Sequence, residues 1–429
     1  MATGAAKTAA KLAYVVGMLA FAAAGTANMV WPRVEDAKLN GVEAAAKRPE
    51  LTWQTARAEG FQKDFTAWFE QHWGLRGYAV RTDNTIVKAL FHEVRAGQAT
   101  ILEGGLLMSR EDLNYVNRDD PPGPTVAYAK KIARVQAGMR DRNVVVIPVL
   151  IPAKTSFFRE SIPRSWQRRG AFGLSDENLY RTFVRTLREL HVAFVDAREL
   201  LSDGSPDHVF ASPGRHWRLS AGCRTLQAAV DAARPDLPEI GHDQFDCTTH
   251  VNHDADVEEE DYDLFRLLNV WEHKPEGVNV EVLSATSAPA SLRVSTVFVG
   301  TSFVWKFVRI AKQLEVLRPA LFYSYNSSVV DGDTLFIFKK VEPFTDAWRK
   351  DTLGKRLIVV GILETYLPTD GNQFFTELEE ELDVLPPIED APPRKPDDPT
   401  PTGDPPPAPE AEAGAPPATE AGAPADAAP

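Results

Sequence analysis

Ser302 and His216 are the two side chains whose types and settings suit nucleophilic chemistry. A serine hydroxyl attacks when a base within hydrogen-bond reach takes its proton, and usually when an acid orients that base. Ser302 follows Val294-Ser295-Thr296-Val297-Phe298-Val299-Gly300-Thr301 and precedes Phe303-Val304-Trp305-Lys306-Phe307-Val308-Arg309-Ile310. The first run is rich in β-branched residues and reads as a short buried strand. The second is apolar at Phe303, Val304, Phe307, Val308 and Ile310, with Lys306 and Arg309 between, which is the rhythm of a helix. The spacing therefore puts Ser302 at a strand-to-helix turn, where helix-terminal N–H groups can hold a developing oxyanion. An ordinary helix N-cap fits the same place. His216 lies in Ser212-Pro213-Gly214-Arg215-His216-Trp217, a loop that leads into a helix. A structural histidine fits that context as well, and spacing alone does not link it to Ser302.

The elements that must position these residues alternate along the chain. An amphipathic helix is expected over 126–140, a buried strand over 144–152, and a helix over 178–190. A short strand ending in Asp196 follows, then a helix over 220–233. The strand–turn–helix around Ser302 comes next, and a last buried strand over 356–363 has Glu364 just beyond it. Continuous apolar runs of this kind suit parallel pairing, and the order is that of an α/β sheet with crossover helices. Upstream, Phe61, Phe65, Trp68, Phe69 and Trp73 recur at helical spacing, and Gly74-Leu75-Arg76-Gly77 separates them from a second helix. That aromatic stripe reads as packing surface rather than a sugar platform. Thr100 to Met108 reads as a hairpin around Gly104-Gly105.

A chain of 429 residues that is 44% hydrophobic can bury a sizeable core. Its formal charge of −13 is concentrated at one end: fourteen acidic and two basic residues lie from Glu377 onward. The rest is near neutral, which argues against a nucleic-acid binder. Cys223 and Cys247 are the only cysteines and form no CxxC, so a cysteine-based zinc site is not expected. They read equally as a disulfide in an oxidising compartment or as two buried thiols. His250, His253, Asp254, Asp256, Glu258, Glu259, Glu260, Asp261 and Asp263 crowd one stretch. It lacks EF-hand or zinc spacing and reads as a solvated acidic loop, so neither metal nor cofactor is expected.

Lys7 and Lys11 precede an apolar run from Leu12 to Trp31, long enough to cross a bilayer, with Trp31-Pro32 at the interface. It reads as a retained anchor with an exported body, or as a cleaved signal with Gly25-Thr26-Ala27 at the cleavage site. Four segments follow: an anchor or signal over 1–33, a helical lead-in over 34–95, an α/β domain over 96–375, and a tail over 376–429. The tail is Pro/Ala-rich and acidic, and is expected to be disordered because it has almost no large apolar residues from Pro386 on.

Six short motifs, taken in order, are similar to those of one known family. Glu103-Gly104-Gly105-Leu106-Leu107-Met108 is similar to the family's GxxGWLF hairpin. Pro148-Val149-Leu150-Ile151-Pro152-Ala153-Lys154 resembles its vPxPxK strand end, and Val195-Asp196 its vD strand end. Gly214-Arg215-His216-Trp217 with Gly222 resembles DxHW…G, Val299-Gly300-Thr301-Ser302 resembles vGxS, and Glu364-Thr365-Tyr366-Leu367 resembles ExxYL. The ordered set resembles the AlgX/AlgJ-type SGNH-hydrolase-like proteins, the alginate O-acetyltransferase family, and the resemblance spans about Phe61 to Leu367. It implies an SGNH-hydrolase-like parallel sheet with flanking helices. It also implies a periplasmic enzyme that acetylates an exopolysaccharide through a Ser–His acyl-enzyme. The acetyl group would come from a membrane-bound O-acyltransferase partner, and the N-terminal segment would hold the protein at the inner membrane. Ser302 would be the nucleophile and His216 the base, with the Ser302 amide in the oxyanion hole. Lys154 and Asn326 would be candidates for substrate or oxyanion contacts, with Glu364 in a supporting place.

One position departs from the family. Where it has an aspartate two residues before the histidine, this chain has Gly214. Asp207 or Asp196 could replace that acid only if the chain folds back. Losing the orienting acid costs about 10⁴-fold in a serine protease. A catalytically impaired, envelope-anchored scaffold or carbohydrate-binding protein is therefore the alternative reading.

Overall fold

The computed structural model describes residues 4–386 apart from 42–45, 58, 95–96, 168–174, 253–260, 273–274, 276–279, 368 and 370–372. It begins with α1 (Gly4–Val30), α2 (Glu59–His72) and α3 (Arg76–Phe91). The hairpin β1 (Ala99–Ile101) and β2 (Leu107–Ser109) leads into α4 (Arg110–Val116) and α5 (Gly123–Arg140). Then come β3 (Val145–Ile151), α6 (Lys154–Phe157), α7 (Ser175–Glu189), β4 (Val195–Asp196), α8 (Ala197–Leu200), α9 (Pro206–Val209) and α10 (Leu219–Ala233). A second small hairpin, β5 (Thr249–Asn252) with β6 (Val280–Leu283), brackets α11 (Asp263–Leu267). The last third holds β7 (Thr296–Gly300), α12 (Trp305–Leu314), β8 (Ala320–Ser324), β9 (Ser328–Asp331), β10 (Ile337–Lys340), α13 (Asp346–Thr352), β11 (Leu357–Leu363) and α14 (Phe374–Val384).

Seven strands form the central sheet in the order β10-β9-β8-β7-β11-β3-β4. The five from β8 to β4 are parallel, and β9 and β10 add an antiparallel edge. The parallel part matches the expected sheet, and the antiparallel edge adds strands not read from the sequence. Its strands are four residues long, and β10 exposes Ile337 and Phe338, so neither carries the continuous buried run that marked β3, β7 and β11. One face of the sheet packs on α10 and α12 through residues such as Phe298, Phe307, Leu226 and Val230. The other packs on α5, α7 and α14 through Val146, Ile358, Ile132, Phe183 and Phe375. Each such fully buried side chain contributes about 1.5–3 kcal/mol of transfer free energy.

Two boundaries differ from the composition. Polar, Ala-rich residues before Glu59 predict helix, but the described chain there is irregular save for the short turn Thr55–Arg57. Pro32 lies at its start, and Asn28 accepts from the amides of Arg33 and Val34, taking groups a helix would use. The disordered tail was expected from 376, yet α14 runs to Val384. Phe374, Phe375 and Leu378 are buried against α5, and the acids Glu377, Glu379 and Glu381 pair with Asn326, Arg134 and Arg349. The remainder of the expected tail, 387–429, lies outside the described residues.

Candidate active site

Parallel strands place their carboxyl ends on one rim, where helix N-termini also gather. Lys154 follows β3, Asp196 ends β4, Ser302 follows β7, Tyr325 follows β8 and Glu364 follows β11. Gly300 makes the turn to Ser302 feasible. Its φ is +151°, and a Cβ there would come within 2.6 Å of Val304 Cγ2 and 3.0 Å of the Gly361 carbonyl. A one-turn 3-10 segment, Ser302–Val304, then passes into α12. The first N–H groups of such a helical start have no intrahelical acceptor.

His216 arrives from the loop before α10. Phe210 and Trp217 bridge its two sides, and Trp217 donates its indole N–H to the Phe303 carbonyl at 3.1 Å. The imidazole packs on Phe303, with ring centroids 4.6 Å apart. These contacts bring His216 Nε2 to 2.7 Å from Ser302 Oγ, across 86 positions of sequence. The phenol of Tyr325 donates to the same Oγ at 3.2 Å.

The other ring nitrogen, Nδ1, faces Asp263 Oδ2 at 3.1 Å. This is a close approach at an angle short of a well-directed hydrogen bond. Asp263 is itself fixed, because its Oδ1 accepts from the Arg215 amide at 2.7 Å. Burial pushes its carboxyl up, but His216 and the amides of Arg215 and Leu264 outweigh that and hold it below the ordinary 3.8. A carboxylate at Nδ1 keeps the proton on that nitrogen and leaves Nε2 free to accept from Ser302. Such a chain can draw a proton from the hydroxyl and stabilise the imidazolium that results.

The carboxylate that faces His216 thus stands 47 residues after it, at the end of the stretch read from sequence as a solvated acidic loop. That reading does not hold for its described end. Asp261 is buried and ion-paired with Lys306 on α12 at 3.0 Å, and Asp263 faces His216. His253, Asp254, Asp256 and Glu258–Glu260 lie outside the described residues. The signal that marks Asp263 in the sequence is its place before Leu264-Phe265, the start of an apolar run in a polar stretch.

The remaining candidates have other partners. Asp196 caps α8 through the amides of Arg198 and Glu199 and accepts from the Tyr180 hydroxyl at 2.7 Å. Asp207 receives Arg218 on its backbone carbonyl. Lys154 is fully buried, and its Nζ donates to the carbonyls of Ala211, Ser212 and Gly214 at 2.7–2.8 Å. Burial pushes Lys154 down to about 7, against the pull of Asp263, Asp112 and Asp207. Three carbonyls match three N–H donors only in the ammonium form, so the cage opposes that desolvation. All its donors are spent on the loop before His216, which removes it from any oxyanion contact. Asn326 donates to Glu377 at 2.7 Å, and its neighbour Tyr325, unnoticed in the sequence, is the residue that reaches Ser302. Glu364 is buried, paired with Arg198 at 2.9 Å, and accepts from the Ala153 amide and the Ser156 hydroxyl.

Ser302, His216 and Asp263 open into a cleft of about 830 Å³ lined also by Arg118, Arg215, Tyr366 and Thr369. That volume lies in the range of small-molecule sites. Arg215 is held by Asp112 and Glu111 at 2.7 and 2.9 Å. No cluster of three or more metal-ligating side chains occurs among the described residues. Away from the cleft, Cys223 and Cys247 form a disulfide that ties α10 to the segment before β5.

Residues 106–315 match the family described as SGNH hydrolase-like domain, acetyltransferase AlgX. Among solved structures, the O-acetyltransferase domain of Pseudomonas putida AlgJ is 16% identical, covering 66% of this chain and 99% of that one, with a TM-score of 0.41. Pseudomonas aeruginosa AlgX is 12% identical over 66% of this chain and 67% of that one, TM-score 0.43. Bacillus cereus PatB1 with a sulfonyl adduct is 8% identical over 64% and 97%, TM-score 0.43. The comparison with curated proteins gives no match.

Proposed function

From the match of residues 106–315 to the SGNH hydrolase-like, AlgX-type acetyltransferase family, we propose that this protein is an exported O-acetyltransferase acting on the hydroxyls of an alginate-like exopolysaccharide. The observation that carries the reading is the unbroken line of contacts from Ser302 Oγ through His216 to Asp263. Ser302 Oγ attacks the acetyl carbonyl of a donor while its proton passes to His216 Nε2. The tetrahedral oxyanion is held by the amides opening the helical turn at Ser302, with the Tyr325 phenol beside it. Collapse breaks the bond to the donor's leaving group, which takes the proton from His216. A sugar hydroxyl then enters the cleft, gives its proton to His216 and attacks the acetyl-serine, and Ser302 leaves with that proton. The carboxylate of Asp263 offsets the imidazolium charge in both halves. A contact at Nδ1 also weakens the case for an impaired scaffold, which rested on Gly214.

Acetyl-ester turnover by the full chain in detergent tests the reading, with Ser302→Ala as control. Loss of turnover in the variant is expected, and equal rates for the two proteins would refute it. Addition of a polysaccharide acceptor should then divert acetyl from water to sugar.

The body lies on the exported side, at the inner membrane, with a membrane-bound acyltransferase as the acetyl source. The helix α1 is long and apolar enough to cross a bilayer, and the disulfide suits an oxidising compartment. A retained anchor fits better than a cleaved signal because the end of α1 is built into the fold. Gly25 lies against the Trp73 indole with no room for a Cβ, and its carbonyl accepts from Gly74. Asn28 donates to the Gly74 carbonyl at 2.7 Å. Intact mass of the membrane-extracted protein should include residues 1–31, and a species starting near Asn28 would overturn the anchor.

A further inference from the structure

Asp263 belongs to no part of the sheet. It opens α11, a helix of five residues, too short to hold its own direction. What directs it is the chain around it. On one side, the buried Asp261–Lys306 pair ties its approach to α12. On the other, its exit is gripped by the helical lead-in. Asn84 of α3, itself buried, donates to the Leu268 carbonyl at 2.7 Å. Asn269 accepts from the Asn40 amide at 2.7 Å and donates back to the Asn40 carbonyl at 3.1 Å. The Asn40 side chain takes the Arg266 carbonyl at 3.1 Å. These side chains satisfy carbonyls left open at the end of α11, as a C-cap would. The lead-in is itself fixed to the anchor. Asp36 receives the Gly77 amide at the start of α3, and the turn between α2 and α3 docks on the end of α1 through Gly25 and Asn28.

We propose that Asn84, with the Asn40–Asn269 pair, positions Asp263 against His216. The acid of the relay is then set by the helices at the membrane anchor, while the nucleophile and base are set by the sheet. The lead-in is a working part of the site rather than a spacer. This rests on the reading of Ser302, His216 and Asp263 as the reacting relay. Small misplacements of a positioned group far from the chemistry cost up to about 10²-fold in rate.

The test uses the full chain in detergent, with Asn84→Leu and Asn40→Ala each made alone and with Asp263→Asn. The expected result for Asn84→Leu is a kcat about 10- to 100-fold lower with KM nearly unchanged. In the Asp263→Asn background the same change should cost less than about twofold, because the two act through one contact. Equal proportional losses in both backgrounds, or an unchanged kcat in Asn84→Leu, would overturn the proposal. A second readout needs no turnover: the His216 Nδ1 proton resonance in histidine-labelled protein. It should move in Asn84→Leu toward its position in Asp263→Asn, and an unmoved resonance overturns the proposal. An inactive wild-type protein would refute the transferase reading, while this resonance would still decide the placement of Asp263.

Discussion

Ser302 and Asp263 stand at opposite ends of one line of contacts, and they are held by different kinds of structure. Ser302 is fixed locally. A five-residue strand, a glycine that admits the turn, and the helix that follows all lie within about a dozen positions of it. Asp263 is fixed at long range, by Arg215 in the histidine loop, by Lys306 through Asp261, and by Asn40 and Asn84 more than 170 positions upstream. A nucleophile needs a defined turn at a strand end, which local sequence can encode. The acid needs only to reach Nδ1, and any segment that the fold brings there can supply it.

The largest expected effect tests the local half. Ser302→Ala should abolish acetyl-ester turnover, a loss of more than about 10⁴-fold, because it removes the atom proposed to form the acyl bond. Asp263→Asn follows, at about 10²- to 10⁴-fold in kcat with KM little changed, measured in the same assay. Asp207→Asn should stay near the wild-type rate, and a reversed ranking of these two aspartates would break the comparison. Tyr325→Phe should cost about 3- to 10-fold in kcat/KM, the worth of one hydrogen bond to Oγ. The smallest effect belongs to Asp196→Ala. It should lower stability by about 0.5–2 kcal/mol through loss of the α8 cap, read by thermal unfolding, with turnover nearly unchanged.

Acid titration sharpens the long-range half. The folded-state carboxyl of Asp263 lies below its ordinary 3.8, so the unfolded chain binds the proton more readily. Its contribution to stability is present above pH 3.8 and is lost as pH falls through the lower folded value. The stability gap between wild type and Asp263→Asn should therefore be full at neutral pH and close in that acid window. A gap that stays constant into acid would mean the carboxylate gains nothing from His216 and its amides.

The contrast also explains what could be read from the chain alone. The sheet strands β3, β7 and β11 announced themselves because burial on both faces demands continuous apolar runs. The vGxS-like turn and the histidine before Trp217 were legible because their neighbours are sequence-local. The antiparallel edge was not, since short strands half in solvent carry no such run. The acid was hidden for a different reason. Asp263 closes a stretch of nine His, Asp and Glu residues, and composition cannot distinguish the one that the fold buries. Lys154, Asn326 and Glu364 sit near the expected rim, yet their side chains serve the loop before His216, α14 and Arg198. Position along a motif located the rim, while the partners of each atom decided its work.

The most direct measurement is the intact mass of the protein after treatment with a serine-directed sulfonyl fluoride, followed by peptide mapping. The account predicts a single adduct on Ser302, absent in Ser302→Ala and formed more slowly in both His216→Ala and Asp263→Asn. Equal labelling of Ser302→Ala, or a wild-type protein in which Ser302 stays unmodified, would contradict it.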